Sequence, residues 1–491
     1  MENVAQIVFP GFWFGKTDPQ EAERWVEMGV GGFCLYGGKP EEIRSFITKL
    51  QKKSKVPLLF CADYENGVGQ WVPGGTEFPS NMAVAATGSE DFALKKGIAT
   101  AREAKALGVY WVLAPVVDLA SCPDNPIVNI RAFSDSPLLV SRFATSYLQG
   151  LKKEGVINCL KHFPGHGESR FDSHLELPLL NLSRAQLLQR EVKPYQNLKD
   201  LADAVMVGHL KIPSLDKQFP TSLSRLVISD FLKKEMGYEG LVVTDALAMK
   251  AVSEDSQAGA WALEAGADIL LVPEDPFKLR KTLERGISSG TIPEERVQSA
   301  LKNLAFFRKN IKNPSQGSLD VLGCSEHALW AKQMAESALS WVRPPSHPPV
   351  KSGEKIFYLE PGIQKDSDWQ GKAFVDELRK LGVRILSGTP SSLQISLARN
   401  QTQSTLVGIF SKPQAYSGAI HLNVESRKKL RALLEKVRRR VLFSFGSPFV
   451  FSGFSYEAGL CAFSDLEHSQ RAAARALLRP EKAVGRWPVS L

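Results

Sequence analysis

The stretch VINCLKHFPGHGESRFDSHLELP, residues 156–178, decides the fold. It opens as a short apolar run, ends that run on Lys161 and His162, and then passes into a loop rich in glycine and proline. A continuous apolar run, rather than an alternating one, fits a strand buried on both faces of a parallel sheet. The same pattern recurs at residues 7–12, 29–37, 56–63, 109–118, 204–209, 240–245 and 267–273. Stretches with helical spacing lie between the runs, for example 91–107 and 138–153. Eight strand–helix units in series over about 300 residues predict a TIM-like (β/α)8 barrel in preference to an open doubly wound sheet.

Polar side chains gather at the C-terminal ends of these runs: Asp63, Glu65, Asp118, Lys161, His162, His209 and Asp245. In a barrel that face holds the active site, because the loops converge there. Beyond it, residues 311–320 (IKNPSQGSLD) are mostly polar, 325–339 read as a helix, and 344–349 (PPSHPP) form a stiff break. Strand signals resume at 355–360, 383–386, 393–397, 405–410 and 441–446, with helical stretches between several of them. The expected organisation is α/β throughout. A catalytic barrel spans residues 1–310, a linker with a helix spans 311–350, and a smaller α/β domain of sandwich type spans 351–491.

Hydrophobic residues make up 43% of the chain and charged residues 23%, ordinary globular values. No apolar run approaches the ~18 residues that cross a bilayer. The start lacks a basic segment followed by an apolar stretch, so no signal peptide is expected. Six cysteines are spread without a CxxC pair, most of them inside apolar runs. Buried reduced thiols point to the cytoplasm. The net charge is +9, and its densest stretch is RKKLRALLEKVRRR at 427–440. Leu430, Leu433, Leu434 and Val437 recur there at helical spacing, which predicts an amphipathic helix with a solvated basic face. No interleaved aromatics or binding motif accompany it, so neither a nucleic acid nor a membrane is expected as partner.

Four of the eight histidines fall between residues 162 and 209. One reading is a metal site, with His162, His166 and His174 as nitrogen ligands and Asp172 as an oxygen ligand. Against it, the HxxxH spans a Pro-Gly turn rather than a helix, and the other strand ends offer no further histidine pair. No metal and no other cofactor is therefore expected. The second reading is acid/base catalysis. Asp172 and His174 flank Ser173, and a carboxylate beside an imidazole fixes its tautomer and raises its basicity. No GxSxG or reactive cysteine accompanies the pair, which argues against acyl transfer. A nucleophile must then come from elsewhere on the same face, and Asp245 in GLVVTDALAM, residues 240–249, is the best candidate. A carboxylate ending an apolar strand is costly without partners, although it could simply cap the following helix. An aspartate nucleophile with a separate acid/base is the arrangement of a retaining glycosidase.

The motifs KHFPGHG (161–167), DSHLELP (172–178), MVGH (206–209) and VTDALAM (243–249) resemble glycoside hydrolase family 3. More narrowly they look like its β-N-acetylhexosaminidase (NagZ-type) branch. DYENG (63–67) and NIRAF (129–133) resemble two more of its motifs, in the right order. FSFGSP (443–448) and GRWPVS (485–490) extend the likeness weakly into the second domain. The resemblance implies that Asp245 forms a glycosyl-enzyme and that His174, oriented by Asp172, is the general acid/base. Asp63, Arg131, Lys161 and His162 would bind hydroxyls and the N-acetyl group of the terminal sugar, with His209 of MVGH also on the substrate side. Charged side chains suit this because each can hold two hydroxyls.

The sequence departs from the branch in two places. A Gly-Gly-Arg run with a second arginine three residues later is usual after the acidic pair, and here those positions read Asn66, Gly67, Val68 and Trp71. Ala246 stands where a second aspartate is common. The implied activity is that of a retaining exo-β-N-acetylglucosaminidase acting on a small β-N-acetylglucosaminide. Recycling of cell-wall muropeptides is its analogical setting. The neighbouring readings are a β-glucosidase, a phosphorylase that uses phosphate as acceptor, and a non-enzymatic sugar-binding protein.

Overall fold

Each apolar run of the first 273 residues contains a parallel strand. In chain order these are β1 (Val8–Phe9), β2 (Gly11–Trp13), β3 (Gly32–Tyr36), β4 (Leu59–Ala62) and β5 (Trp111–Val112). They continue as β6 (Cys159–Phe163), β7 (Ala204–Val207), β8 (Leu241–Thr244) and β9 (Leu270–Leu271). The computed structural model describes residues 4–310, 317–361, 369–398, 404–420 and 422–491. They form two units. The first holds the residues up to Phe78, Ala93–Asn125 and Ser136–Ala328, and the second holds Pro79–Phe92, Pro126–Asp135 and Leu329–Leu491. Two short segments from within the first 310 residues thus group with the second unit. Of the polar stretch 311–320, only 317–320 lie among the described residues.

In the first unit, β2, β3, β4 and β5 pair in that order, as do β6, β7 and β8, and β1 pairs with β9. Single parallel bridges join Trp111 to Ile157 and Val243 to Ile269. Strand side chains alternate between faces. One set, including Leu59, Cys61, Cys159, Ala204, Met206, Leu241, Val243 and Leu271, meets in a single cluster. The other set, such as Phe60, Leu160, Val205 and Val242, is equally buried. Burial on both faces is why the runs read as continuous rather than alternating.

Local chemistry sets the connecting helices. In Pro19–Met28, Asp18 accepts the Gln20 N–H at 2.9 Å and Pro19 occupies the first turn. The helix closes on Gly29, whose φ of 97° only glycine adopts readily. Ala22, Trp25 and Val26 are its buried face. The helices Glu90–Leu107 and Pro137–Lys153 meet at Gly97 and Gly150. A Cβ added to Gly97 would lie 2.3 Å from the Tyr147 carbonyl oxygen, so the two backbones touch where neither has a side chain.

The second unit is built on β10 (Ser340–Arg343), β11 (Lys355–Leu359), β12 (Arg384–Gly388), β13 (Ser404–Ser411), β14 (Arg439–Gly446) and β15 (Ala458–Cys461). They form one sheet in the order β10-β15-β14-β13-β11-β12. All pairs are parallel except β10 with β15, where the edge strand runs antiparallel. Ile356, Tyr358, Leu406, Val441, Phe443 and Leu460 share a core with the helices Lys372–Lys380 and Glu467–Leu478. The opposite-facing Phe357, Leu359, Val407 and Leu442 are buried too, so the sheet is covered on both sides.

Two expectations for this unit are corrected, and two strands are added. Residues 393–397 are not a strand but belong to the helix Pro390–Ala398. Thr389 starts that helix, its Oγ1 accepting the Ser392 N–H, with Pro390 in the first turn. The amphipathic helix expected over 427–440 spans Val424–Leu434, and Arg439 and Arg440 open β14 instead. There they pair with Glu354 at 2.7 Å and Glu457 at 2.9 Å, so these two cations are engaged within the unit. Finally, β10 and β15 gave no sequence signal of their own. Among the described residues no helix is long and apolar enough to cross a membrane.

Candidate active site

The strand-end residues of the first unit interlock. Lys161 on β6 is 2% exposed, and its Nζ lies 2.6 Å from Asp63 Oδ1 and 2.6 Å from Glu65 Oε1. Both carboxylates come from the segment following β4. A buried cation between two acceptors has its position fixed by them.

The next residue, His162, turns to Asp118, which is fully buried. Its Nδ1 donates to Asp118 Oδ2 at 2.7 Å, and its backbone N–H bonds the same carboxylate. An ionised carboxylate only accepts, so Nδ1 carries a proton and the ring's orientation is fixed. Asp118 also takes the His166 N–H at 2.8 Å. Burial pushes the Asp118 carboxyl up, but the two histidines outweigh it and hold it below its usual value. His166 is itself held neutral, with burial lowering it to about 4. Its Nε2 lies 3.2 Å from Ser173 Oγ, which ties the first half of the histidine loop to the second.

In that second half, Asp172 Oδ1 accepts both the backbone N–H and the Nδ1–H of His174, at 2.9 and 2.8 Å. The side chain of Asp172 is fully buried while that of His174 is 24% exposed. The pair therefore fixes one nitrogen of a partly exposed ring, and Nε2 is the atom left to exchange a proton with a substrate. Protonated, that atom can give a proton; neutral, it can take one.

Asp245 follows β8 directly. Its N–H bonds the Val207 carbonyl at 3.0 Å and its Oδ1 accepts the Ala246 N–H at 2.8 Å. Burial raises its carboxyl, yet the imidazoles of His162, His209 and His174, with the Ala246 N–H, bring it down to about 2. It is thus an anion at neutral pH, in the field of three imidazoles, two from β6 and the histidine loop that follows it and one from the segment after β7. His209 is fully buried and both its nitrogens are engaged. Nε2 must donate to the Ala246 carbonyl at 3.0 Å, so Nδ1 accepts from the Ser222 hydroxyl at 2.6 Å. Burial keeps this ring neutral by lowering its pKa.

Of the residues expected to work together, Asp63, Lys161, His162, Asp172, His174, His209 and Asp245 all lie in the first unit. Arg131 lies in the second, on the short turn Asn129–Arg131, and its Nη1 donates to the Ile127 carbonyl at 2.9 Å. His162, His166 and His174, weighed as a metal triad, each bond a separate protein partner. Among the described residues no group of three His, Cys, Asp or Glu side chains is placed to hold a metal.

Residues 1–306 match the family described as "Glycosyl hydrolase family 3 N terminal domain". The chain belongs to glycosyl hydrolase family 3. Among its curated relatives is "Beta-N-acetylglucosaminidase/beta-glucosidase" of Cellulomonas fimi, 29% identical over 336 residues. That match covers 64% of this chain and 60% of the relative. "Beta-hexosaminidase A" of Pseudoalteromonas piscicida is 26% identical over 384 residues, covering 70% of this chain and 64% of the relative. The chain thus spans less than two thirds of the length of these two. A solved family 3 β-N-acetylglucosaminidase from Paenibacillus sp. str. FPU-7 is 25% identical, with a TM-score of 0.85 over 100% of this chain and 98% of its own.

The candidate site of this family 3 chain also includes residues to which sequence reading gave no role. Asp118 ended an apolar run, so the signal was present. Glu191 had none. It is 1% exposed and presses on the histidine loop: a Cβ at Gly165 would sit 2.7 Å from the Glu191 Cβ. Its Oε1 accepts from Ser121 at 3.1 Å. Burial, then the charges of Asp118 and Glu168, raise its carboxyl from 4.5 to about 8. The folded state therefore holds a proton that the unfolded chain releases above 4.5, so the contribution of Glu191 to stability falls as pH rises from 4.5 to 8. Each unit of that window is worth ~1.4 kcal/mol. Glu191→Gln should flatten this slope, and the variant should gain on the wild type by a few kcal/mol between the two ends. Urea unfolding at both ends checks it; parallel pH profiles for the two proteins would show that Glu191 ionises freely.

Proposed function

We propose that the protein is a retaining exo-β-N-acetylglucosaminidase with Asp245 as nucleophile and the Asp172–His174 pair as acid/base. The observation that carries this reading is the His174 imidazole, fixed through Nδ1 by Asp172, sharing its surroundings with an anionic Asp245. In the first step Asp245 attacks the anomeric carbon while His174 Nε2–H protonates the departing oxygen, and Asp172 stabilises the imidazolium beforehand. In the second step the neutral imidazole takes a proton from water, which attacks the glycosyl-enzyme and releases Asp245. Asp63, Lys161 and His162 are assigned to the sugar's hydroxyls and N-acetyl group. His209, with both nitrogens engaged, is assigned to holding the Asp245–Ala246 turn rather than to touching the sugar.

The first unit is read as a (β/α)8 barrel. The order of its pairings supports this: each set of parallel strands is joined to the next by a bridge or by the β1–β9 pair. A cytoplasmic setting is supported by six cysteines that stand as free thiols, five of them buried.

The test is a panel of nitrophenyl β-glycosides with and without phosphate. N-acetylglucosaminide should be cleaved at least about 10-fold faster than glucoside, with retention of anomeric configuration and no need for phosphate. A stronger response to glucoside, or turnover only with phosphate, would move the assignment to a β-glucosidase or a phosphorylase.

A further inference from the structure

Beside Asp63 three aromatic rings from three successive strand ends make a continuous surface. Trp13 ends β2 and Tyr36 ends β3, and their rings stack at 4.6 Å with 7° between planes. Trp71, from the segment after β4, meets Tyr36 edge-on at 5.6 Å. Its indole N–H donates to the Asp63 carbonyl at 2.9 Å, so the ring is held next to the carboxylate that fixes Lys161. Trp13 and Tyr36 pack down on the strand core. Trp71 is 38% exposed. Its one polar atom is already bonded to the protein, so what it offers to solvent is an apolar ring face.

We propose that Trp71, backed by Tyr36 and Trp13, forms a subsite for an uncharged aglycone, a second neutral sugar ring or an aryl group. This rests on the glycosidase reading of the neighbouring residues. A sugar ring carries an apolar C–H face that matches an indole, and stacking excludes water from both. The charge of the segment agrees. From Asp63 to Phe78 the chain has Asp63, Glu65 and Glu77 but no lysine or arginine, and the neighbouring Lys161 is committed to Asp63 and Glu65, so the segment brings no cation of its own to an aglycone carboxylate. The subsite thus selects by shape and apolarity.

The experiment compares two N-acetylglucosaminides: the β-fluoride, whose leaving group has no ring, and the neutral disaccharide with a second N-acetylglucosamine. Trp71→Ala should lower kcat/KM on the disaccharide roughly 10-fold, mainly through KM, and should affect the fluoride several-fold less. Trp71→Phe should restore most of the loss. A disaccharide with a lactyl carboxylate on its second ring should be the poorer substrate of the wild type, and Trp71→Arg should narrow that gap. Equal losses on fluoride and disaccharide would make Trp71 a prop for Asp63 and overturn the subsite. So would no loss on either, or a wild-type preference for the carboxylate. A wild type that cleaves neither N-acetylglucosaminide would instead remove the glycosidase reading on which the subsite stands.

Discussion

Asp245→Ala and Asp245→Asn should both fold and should both lose hydrolysis by about 10⁴-fold or more. The size of the loss follows from the role: without a carboxylate there is no covalent path, and the remaining groups can only bind and polarise the substrate. Folding should survive because the side chain makes one short-range bond, to the N–H of the next residue. The asparagine variant keeps shape and that acceptor while removing only the charge. Far-UV circular dichroism and thermal melting establish the fold before any rate is read. Adding azide to the alanine variant sharpens the test. A small anion in the vacated space attacks the anomeric carbon from the face Asp245 used, so it should restore turnover and leave an α-glycosyl azide. A folded Asp245→Ala protein with near-normal hydrolysis would remove Asp245 from the reaction altogether.

His174→Ala should separate substrates by their leaving groups. A general acid matters most when the departing oxygen is basic, because only then must a proton arrive in the transition state. Cleavage of a disaccharide should therefore fall by about 10²- to 10⁴-fold. Nitrophenolate departs without help, so its release in the first step should fall much less. Hydrolysis of the glycosyl-enzyme still needs a base, and the intermediate should accumulate as a burst of nitrophenolate stoichiometric with protein. Asp172→Asn should give a milder form of the same pattern, since the bond at 2.8 Å that orients the ring and sustains its basicity is weakened, not abolished. If both substrates slow alike and no burst appears, His174 positions the substrate and the acid lies elsewhere.

What the sequence made legible was the position of charged residues relative to buried strands. Asp63, Lys161, His162 and Asp245 all sit within or directly after a strand, because an apolar run that must stay buried can end only where polar groups find partners. The partners themselves were not legible. Asp118 collects His162 and His166 through a contact across 44 and 48 residues, and Glu191 presses on Gly165 from another segment. Such pairings are fixed by tertiary packing, which leaves no periodic trace. The misplaced strand at 393–397 has a local cause. A short apolar run carries too few turns to distinguish the two periods, and Thr389-Pro390 was the start signal that could have decided it. The basic run at 427–440 was read as one helix because Val437 continues the spacing of Leu430 and Leu433. The chain instead bends after Leu434 so that Arg439 and Arg440 can pair along β13.

The cysteines of the strand core have a use beyond packing. Cys34, Cys61 and Cys159 are wholly inaccessible and lie in one cluster of the first unit, while Cys461 is equally inaccessible on β15 of the second. Burial raises the thiol pKa of Cys61, Cys159 and Cys461, so a thiolate forms there only when the surrounding structure opens. The rate at which an alkylating reagent reaches each sulfur is therefore a stopwatch for one unit's excursions from its native state. The chain carries these labels natively, which lets the breathing of its two halves be timed separately, with no engineered probe.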